Sequence, residues 1–267
     1  MKDTWLGLDG KAVAVTGASS GIGRSIAEEL REVGAMVANL DLSVPDLVVT
    51  DEHSMDVPCD VTDPRAVETA LDHIVEQFGG LDGVVNNAGI NLPRLLVDTV
   101  GEHPEYELDS RDFSRMMDIN VKGVFHVGQK SARLFARQGH GVIINISSEA
   151  GLEGSDGQSA YSATKGAVNS LTRSWGKELG RHGIRVVGVA PGISEPTGLT
   201  SESYNEALAY TRGTTPDRLT PDYARAIPLG RPGTLREIAD TVVFLLSERA
   251  SYTTGTTYAV TGGKSRG

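Results

Sequence analysis

Tyr161 and Lys165 stand one helical turn apart in the stretch SAYSATKGA, residues 159–167. A tyrosine hydroxyl has an ordinary pKa of about 10, so as a base near neutral pH it needs a cation beside it to stabilise the phenolate. Side chains at i and i+4 share a helix face, so Lys165 can be that cation. The spacing alone more often marks a solvated helix surface, and its meaning depends on what comes near. Upstream, the apolar run GVIINISS (141–148) ends at Ser148, whose hydroxyl can hold a substrate oxygen beside the phenol. Further upstream, DINVKG places Asn120 inside a stretch of helical period, where a polar amide on an apolar face calls for a backbone or water partner.

A second constellation lies near the N-terminus. KAVAVTG (11–17) runs into TGASSGIG (16–23), so Gly17, Ser19, Ser20, Gly21, Ile22 and Gly23 open a helical pattern directly after a strand. Glycines there let the backbone approach a pyrophosphate at a helix N-terminus, where free N–H groups and the macrodipole favour anions. The order is GxxxGxG rather than GxGxxG. Asp41 closes the second strand, where a carboxylate can accept bonds from an adenosine ribose and repel a 2′-phosphate. Ser20 and Leu42 occupy positions where a basic residue would hold that phosphate, so the reading is NAD rather than NADP. Asp60 and Val61 follow the third strand and can meet the adenine. A proton-handling site next to a dinucleotide is the arrangement that hydride transfer requires.

Short runs rich in Val, Ile and Ala alternate with longer stretches of helical period, the pattern of repeated βα units and a parallel sheet. Strands are expected at 11–17, 35–41, 81–89, 141–148, 184–192 and 256–263, with the third strand ahead of Asp60. Helices are expected at 21–34, 64–78, 110–138, 159–183 and 235–248. The helix at 64–78 carries Asp63 as N-cap, Pro64 at its first position and Gly79-Gly80 as its stop. Segments 90–109 and 193–233 fit no regular element. Both follow strand C-termini, outside which ligands of open α/β sheets bind, so both are assigned to substrate recognition.

The composition removes several function classes. With 25 basic against 35 acidic residues the net charge is −10, which disfavours a nucleic-acid or anionic-membrane surface. Cys59 is the sole cysteine, and the 6 histidines show no metal-ligand spacing, so neither an intrachain disulfide nor a metal is expected. No apolar run nears the ~20 residues that span a bilayer. A soluble cytoplasmic protein is expected.

Taken in order and spacing, TGASSGIG, NNAG (86–89), Asn120, Ser148, YSATK and Pro191-Gly192 resemble the short-chain dehydrogenase/reductase family over essentially the whole chain. The resemblance implies an α/β, doubly wound, Rossmann-type and mostly parallel seven-stranded sheet, in a single domain spanning 1–267. It also implies a homotetramer or dimer built partly on the helices at 110–138 and 160–182. The catalytic set implied is Asn120, Ser148, Tyr161 and Lys165. In that scheme Tyr161 takes the alcohol proton as hydride leaves for nicotinamide, and Ser148 orients the oxygen. Lys165 lowers the tyrosine pKa and binds the nicotinamide ribose, and Asn120 holds a water in the proton relay. Asn87, Ala88, Gly89, Pro191 and Gly192 line the cofactor, with Ile193 and Thr197 over its nicotinamide end. Thr197 departs from the commonest family pattern by following SEP.

Loop segments such as NAGINLPRLLVD, SSEAGLEGSDGQSAYSATKGAV and EALAYTRGTT resemble, more narrowly, the family's sorbitol-6-phosphate 2-dehydrogenases of Gram-positive bacteria. That implies a phosphorylated polyol as the small-molecule substrate. A polyol phosphate needs hydrogen-bonding groups near the reacting carbon and a cation at its far end. Glu149, Glu153 and Gln158 are candidates for the hydroxyls, and Arg94, Arg212, Lys264 and Arg266 for the phosphate. The alternatives are a dehydrogenase of an unphosphorylated polyol, a diol or another ketone, and a dinucleotide sensor without turnover.

Overall fold

The computed structural model describes residues 5–198, 200–219 and 222–265. Strand β1 (Ala12–Thr16) is buried along its length, with Val13 and Val15 in one core layer and Ala14 in the other, because successive side chains of a strand point to opposite faces. The remaining strands are β2 (Met36–Asp41), β3 (Val48–Asp51), β4 (Ser54–Pro58), β5 (Gly83–Asn86), β6 (Gly141–Ile146), β7 (Ile184–Pro191) and β8 (Thr256–Val260). They form one sheet in the order β3-β4-β2-β1-β5-β6-β7-β8, parallel throughout except where β3 runs against β4. The strand order reverses between β1 and β5, the crevice where doubly wound sheets take their ligands.

The seven strands implied by the resemblance are therefore eight among the described residues. The extra one is β3, an edge strand joined to β4 by the turn at Glu52-His53. All four of its residues are exposed, so it carries no buried face and leaves no hydrophobic period to read.

Helices α1 (Gly21–Glu32) and α9 (Leu235–Leu246) cover one face, packing Ile26, Leu30, Ile238, Val242 and Leu246 onto the sheet. On the other face lie α2 (Pro64–Phe78), α3 (Ser110–Met117), α4 (Val124–Gln138) and α6 (Ser159–Leu179), with Val67, Leu71, Ile74, Val127 and Phe135 in the core. Each such side chain contributes roughly 1.5–3 kcal/mol by leaving water. The predicted helix 64–78 has the ends the sequence gives it: Asp63 accepts from the Arg65 N–H, and Gly79 is left-handed at φ +75°.

Two departures from the expected elements matter for the site. The helix expected over 110–138 is interrupted by a π-helical turn, Asp118–Gly123, between α3 and α4. Such turns insert an extra residue and redirect side chains, often at functional sites. The second concerns 193–233, expected to be irregular, which contains α7 (Glu202–Thr211) and the short α8 (Tyr223–Ala226). One further short helix, α5 (Ala150–Glu153), follows β6.

The buried face of α6 is unusually polar. Asn86 at the end of β5 donates to Asn145 on β6 at 2.8 Å, Asn145 donates to Thr172 at 2.9 Å, and Thr172 returns to the Val168 carbonyl at 2.8 Å. A buried polar group without a partner costs about 1–3 kcal/mol, so this ladder fixes the register of α6 against the sheet. It thereby sets where the first turns of α6 deliver their side chains.

Candidate active site

Strand β6 ends at Ile146, and the first turns of α6 lie over that end. Lys165 is buried and donates from Nζ to the Ile146 carbonyl at 2.8 Å. The same Nζ lies 5.7 Å from the centroid of the Tyr161 ring. The Tyr161 hydroxyl is hydrogen-bonded with Ser148, whose Oγ also accepts from the Ala150 N–H at 3.2 Å. Asn120, fully buried in the π-helical turn, accepts the Ile90 N–H at 2.8 Å and donates to the Ile90 carbonyl at 2.8 Å and to Thr164 at 3.1 Å. Thr164 in turn donates to the Tyr161 carbonyl at 2.7 Å. The four residues expected to act together are thus brought together, and the Asn120 amide has the backbone partner its surroundings call for.

Gly89 packs against this cluster. A Cβ there would stand 3.1 Å from Asn120 Oδ1 and 3.7 Å from Lys165 Nζ. Burial dominates the electrostatics, pushing the Tyr161 hydroxyl up to about 12 against the opposing pull of Ser148, and bringing Lys165 down to about 8. In the tyrosine, removal from water outweighs the Ser148 hydrogen bond.

The glycine turn at the start of α1 is open to an anion. Ser20 makes no side-chain cap, and the first turn holds no acidic residue, so its N–H donors and dipole are not satisfied from within. Gly17 and Gly21 have φ of +68° and +54°, and a Cβ on Gly23 would collide with the Gly17 carbonyl and the Asn87 amide. Asn87, expected to line a cofactor, spends its amide on the carbonyls of Thr16 and Gly17 at 2.9 and 3.2 Å. Its N–H and that of Ala88 both donate to Thr16 Oγ1 at 3.0 Å. Thr197 closes over the turn, its Cβ 3.3 Å from where a Gly21 Cβ would be.

Asp41 accepts the Ser19 N–H at 3.1 Å and both the N–H and hydroxyl of Ser43 at 2.8 Å. Burial raises its pKa, but these bonds outweigh it and the net shift is downward, so the carboxylate stays charged. The Ser19 hydroxyl is a fourth partner of this carboxylate. Asp60 accepts from the N–H and hydroxyl of Thr62 at 2.8 and 2.7 Å, and the Val61 carbonyl meets His126 at 3.0 Å. Pro191 and Gly192 close β7, and the Ile193 carbonyl accepts the Gly233 N–H at 3.0 Å. An open N-terminus, a cradle without room for a Cβ and a charged acid at the β2 end fit a dinucleotide.

The substrate candidates divide. Arg94 is committed elsewhere: Nε donates to Asp112 at 2.9 Å and Nη1 to the Pro93 carbonyl at 2.8 Å, so this guanidinium ties its loop to α3 instead of offering a free fork. Lys264 is paired with Glu149 at 2.6 Å, which neutralises the one described cation of the tail. Arg266 lies outside the described residues. Glu153 is exposed on α5. Arg212, at the C-terminal end of α7, is exposed and reaches Ser155 Oγ at 3.5 Å. Gln158 is buried, accepting from Ser155 at 2.9 Å and donating to the Tyr204 hydroxyl at 2.8 Å. The other Glu149 oxygen, Oε2, is buried without a partner.

Asn91 and Tyr204 were not singled out from the sequence. Tyr204 lies on α7, and Asn91 donates to its hydroxyl at 3.2 Å. A signal existed: Ser201 followed by Glu202 and the apolar Ala207-Leu208-Ala209 is an N-capped helical pattern, and Ser201 Oγ accepts the Tyr204 N–H at 3.2 Å.

A separate cavity of about 370 Å³ lies at the opposite, N-terminal ends of the strands. Lys11 and His140 in its lining face Asp82 at 3.0 and 3.4 Å, and Arg185 donates to carbonyls at the end of α9. The chemistry-bearing groups converge at the other edge.

Comparison with known proteins shows the family. Residues 17–265 match the family model described as Enoyl-(Acyl carrier protein) reductase. The sorbitol-6-phosphate 2-dehydrogenase of Klebsiella pneumoniae is 50% identical over 266 residues, 99% of this chain and 100% of that protein. A 3-oxoacyl-(acyl-carrier-protein) reductase of Staphylococcus aureus is 38% identical over 263 residues, 95% of this chain and 97% of its own. Among solved structures, the 3-ketoacyl-(acyl-carrier-protein) reductase of Brucella melitensis complexed with NADH superposes with a TM-score of 0.79 at 28% identity, covering 97% of this chain and 99% of that one. The chain belongs to the short-chain dehydrogenase/reductase family and is an oxidoreductase acting on CH–OH groups.

Proposed function

We propose that this chain is an NAD-dependent dehydrogenase of a sugar alcohol phosphate, interconverting D-sorbitol 6-phosphate and D-fructose 6-phosphate as a cytoplasmic homotetramer. The observation that carries the substrate is the full-length likeness to an enzyme of that name, 50% identical over 99% of this chain. The lining supports it over an acyl substrate: Asn91, Gln158 and Tyr204 present polar atoms beside Tyr161, where an acyl chain would need apolar walls.

NAD would lie along the glycine turn at 17–23, with Asp41 taking a ribose hydroxyl, Asp60 and Val61 at the adenine, and Ala88, Gly89, Pro191, Gly192, Ile193 and Thr197 toward the nicotinamide. When bound it supplies the hydride acceptor. Asp41 carries the preference for NAD, since a fixed carboxylate at that place repels a 2′-phosphate. Ser148 donates to the substrate oxygen, and Tyr161 takes the hydroxyl proton as the carbonyl forms. Lys165 has two N–H bonds left after the Ile146 carbonyl, one for a ribose hydroxyl and one to hold the proton path open. Asn120 holds Ile90 and Thr164 in place around that path. Segments 90–109 and 193–233 close the substrate side.

Arg212 is the phosphate candidate, as the exposed guanidinium at the end of α7. Replacing Arg212 with Ala is expected to raise KM for D-sorbitol 6-phosphate by ~10² and to leave turnover of D-sorbitol nearly unchanged. Equal losses on both would remove phosphate recognition from this residue.

A further inference from the structure

The Tyr204 hydroxyl has two acceptor positions and one proton. Both acceptor positions are taken, by Gln158 Nε2 at 2.8 Å and Asn91 Nδ2 at 3.2 Å, so the hydroxyl proton has no acceptor among the described residues. Beside it, Asn91 Oδ1 is a buried acceptor with no donor. Exchanging the oxygen and nitrogen of the Asn91 amide does not resolve this: Tyr204 then donates to Oδ1, and a buried NH₂ becomes the orphan. Either way, three residues from three elements leave one hydrogen-bond vacancy between them.

The elements are placed by structure unrelated to this vacancy. Asn91 follows Ile90, which Asn120 clamps through both its N–H and its carbonyl. Gln158 is the N-cap residue of α6, one turn before Tyr161. Tyr204 is near enough for its charge to be felt at Tyr161, and burial raises its own pKa, keeping it a proton donor at neutral pH. An alcohol hydroxyl, which both donates and accepts, satisfies the pair at once by giving its proton to Asn91 and taking that of Tyr204.

We propose that Asn91, Gln158 and Tyr204 form a hydroxyl-binding subsite that recognises the hydroxyl on a carbon next to the one undergoing oxidation. The proposal deepens the reading of a polyol substrate and rests on it. The subsite selects vicinal diols over simple alcohols, because a substrate without the second hydroxyl leaves Asn91 and Tyr204 unpaired in a buried place.

The test is a cycle of kcat/KM values for the full-length enzyme and Tyr204→Phe, each on D-sorbitol 6-phosphate and on its analogues deoxygenated at C1 or C3, with NAD. The native enzyme is expected to prefer the full substrate over one analogue by ~10², and Tyr204→Phe to shrink that preference to about threefold. Tyr210→Phe is the control for a loosened α7, since Tyr210 bonds Asp98 at 2.9 Å on the same helix; it is expected to keep the native preference. NAD affinity, read by fluorescence, is expected to stay unchanged in both variants. Equal penalties for deoxygenation in native and Tyr204→Phe enzyme overturn the subsite, as does a matching loss in Tyr210→Phe. If D-sorbitol 6-phosphate is not oxidised at all, the substrate reading fails. The subsite is then decided by the same cycle on cyclohexane-1,2-diol and cyclohexanol, where absence of a Tyr204-dependent diol preference overturns it.

Discussion

Tyr161 is the residue on which turnover depends most directly. Tyr161→Phe is expected to lower kcat by ~10³ or more while NAD affinity measured by titration stays the same, because the change removes a proton carrier and little shape. The pH dependence follows from burial. With Tyr161 raised to about 12, the hydroxyl is protonated at neutral pH, so alcohol oxidation, which needs it as a base, climbs as pH rises through neutrality. Ketone reduction uses the protonated form and is expected to stay flat over that range, and initial rates in both directions against pH check the opposite signs. Above about 8, Lys165 loses its charge and the oxidation profile bends over. Asp41→Ala is expected to reduce the ratio of kcat/KM for NAD to that for NADP by ~10², since the discriminating charge is gone. Asp41, Ser148, Tyr161, Lys165 and the glycines stand out in the sequence as candidates because their chemistry is tied to fixed spacing. The ion pairs of Arg94 and Lys264 were not legible, because a cation in a sequence does not reveal whether Asp112 or Glu149 stands beside it.

Elements decide how firmly those residues are held. The glycine turn is the strictest case: Gly23→Ala places a methyl against the Gly17 carbonyl and the Asn87 amide, both fixed by the β1 and β5 ends. NAD affinity is expected to fall by ~10² or more, with a lowered melting temperature, and calorimetric titration checks it. Long buried strands and α2 were readable because hydrophobic period and capping agree over many residues. The π-helical turn was not, because a one-residue insertion leaves the apolar pattern of α3 and α4 nearly continuous. Its cause lies far away in sequence, in the Ile90 backbone that Asn120 must reach. Helix α7 was hidden by the Thr- and Pro-rich residues on both sides of it, and with it went Tyr204.

At the scale of the whole molecule, the sheet presents one edge to chemistry. The reversal of strand order between β1 and β5 brings the glycine turn, Gly89 and the Tyr161 cluster to the same crevice, and the segments after β5 and β7 meet across it through Asn91 and Tyr204. Ligand occupancy there stabilises the folded chain by mass action. NAD at about 100 times its Kd is expected to raise the melting temperature by on the order of 5 °C in scanning calorimetry, and NADP at the same concentration to do far less. The α/β class and the alternation of layers were evident from the sequence, whereas the eighth strand was not, since an exposed edge strand buries too little to leave a pattern. The most direct measurement is the initial rate of nicotinamide reduction by the purified protein with D-sorbitol 6-phosphate and with D-sorbitol, each with NAD and NADP. A rate with NAD and the phosphate ester at least ~10² above the other three pairings is the predicted result. Equal or faster oxidation of unphosphorylated sorbitol, or a preference for NADP, would contradict it.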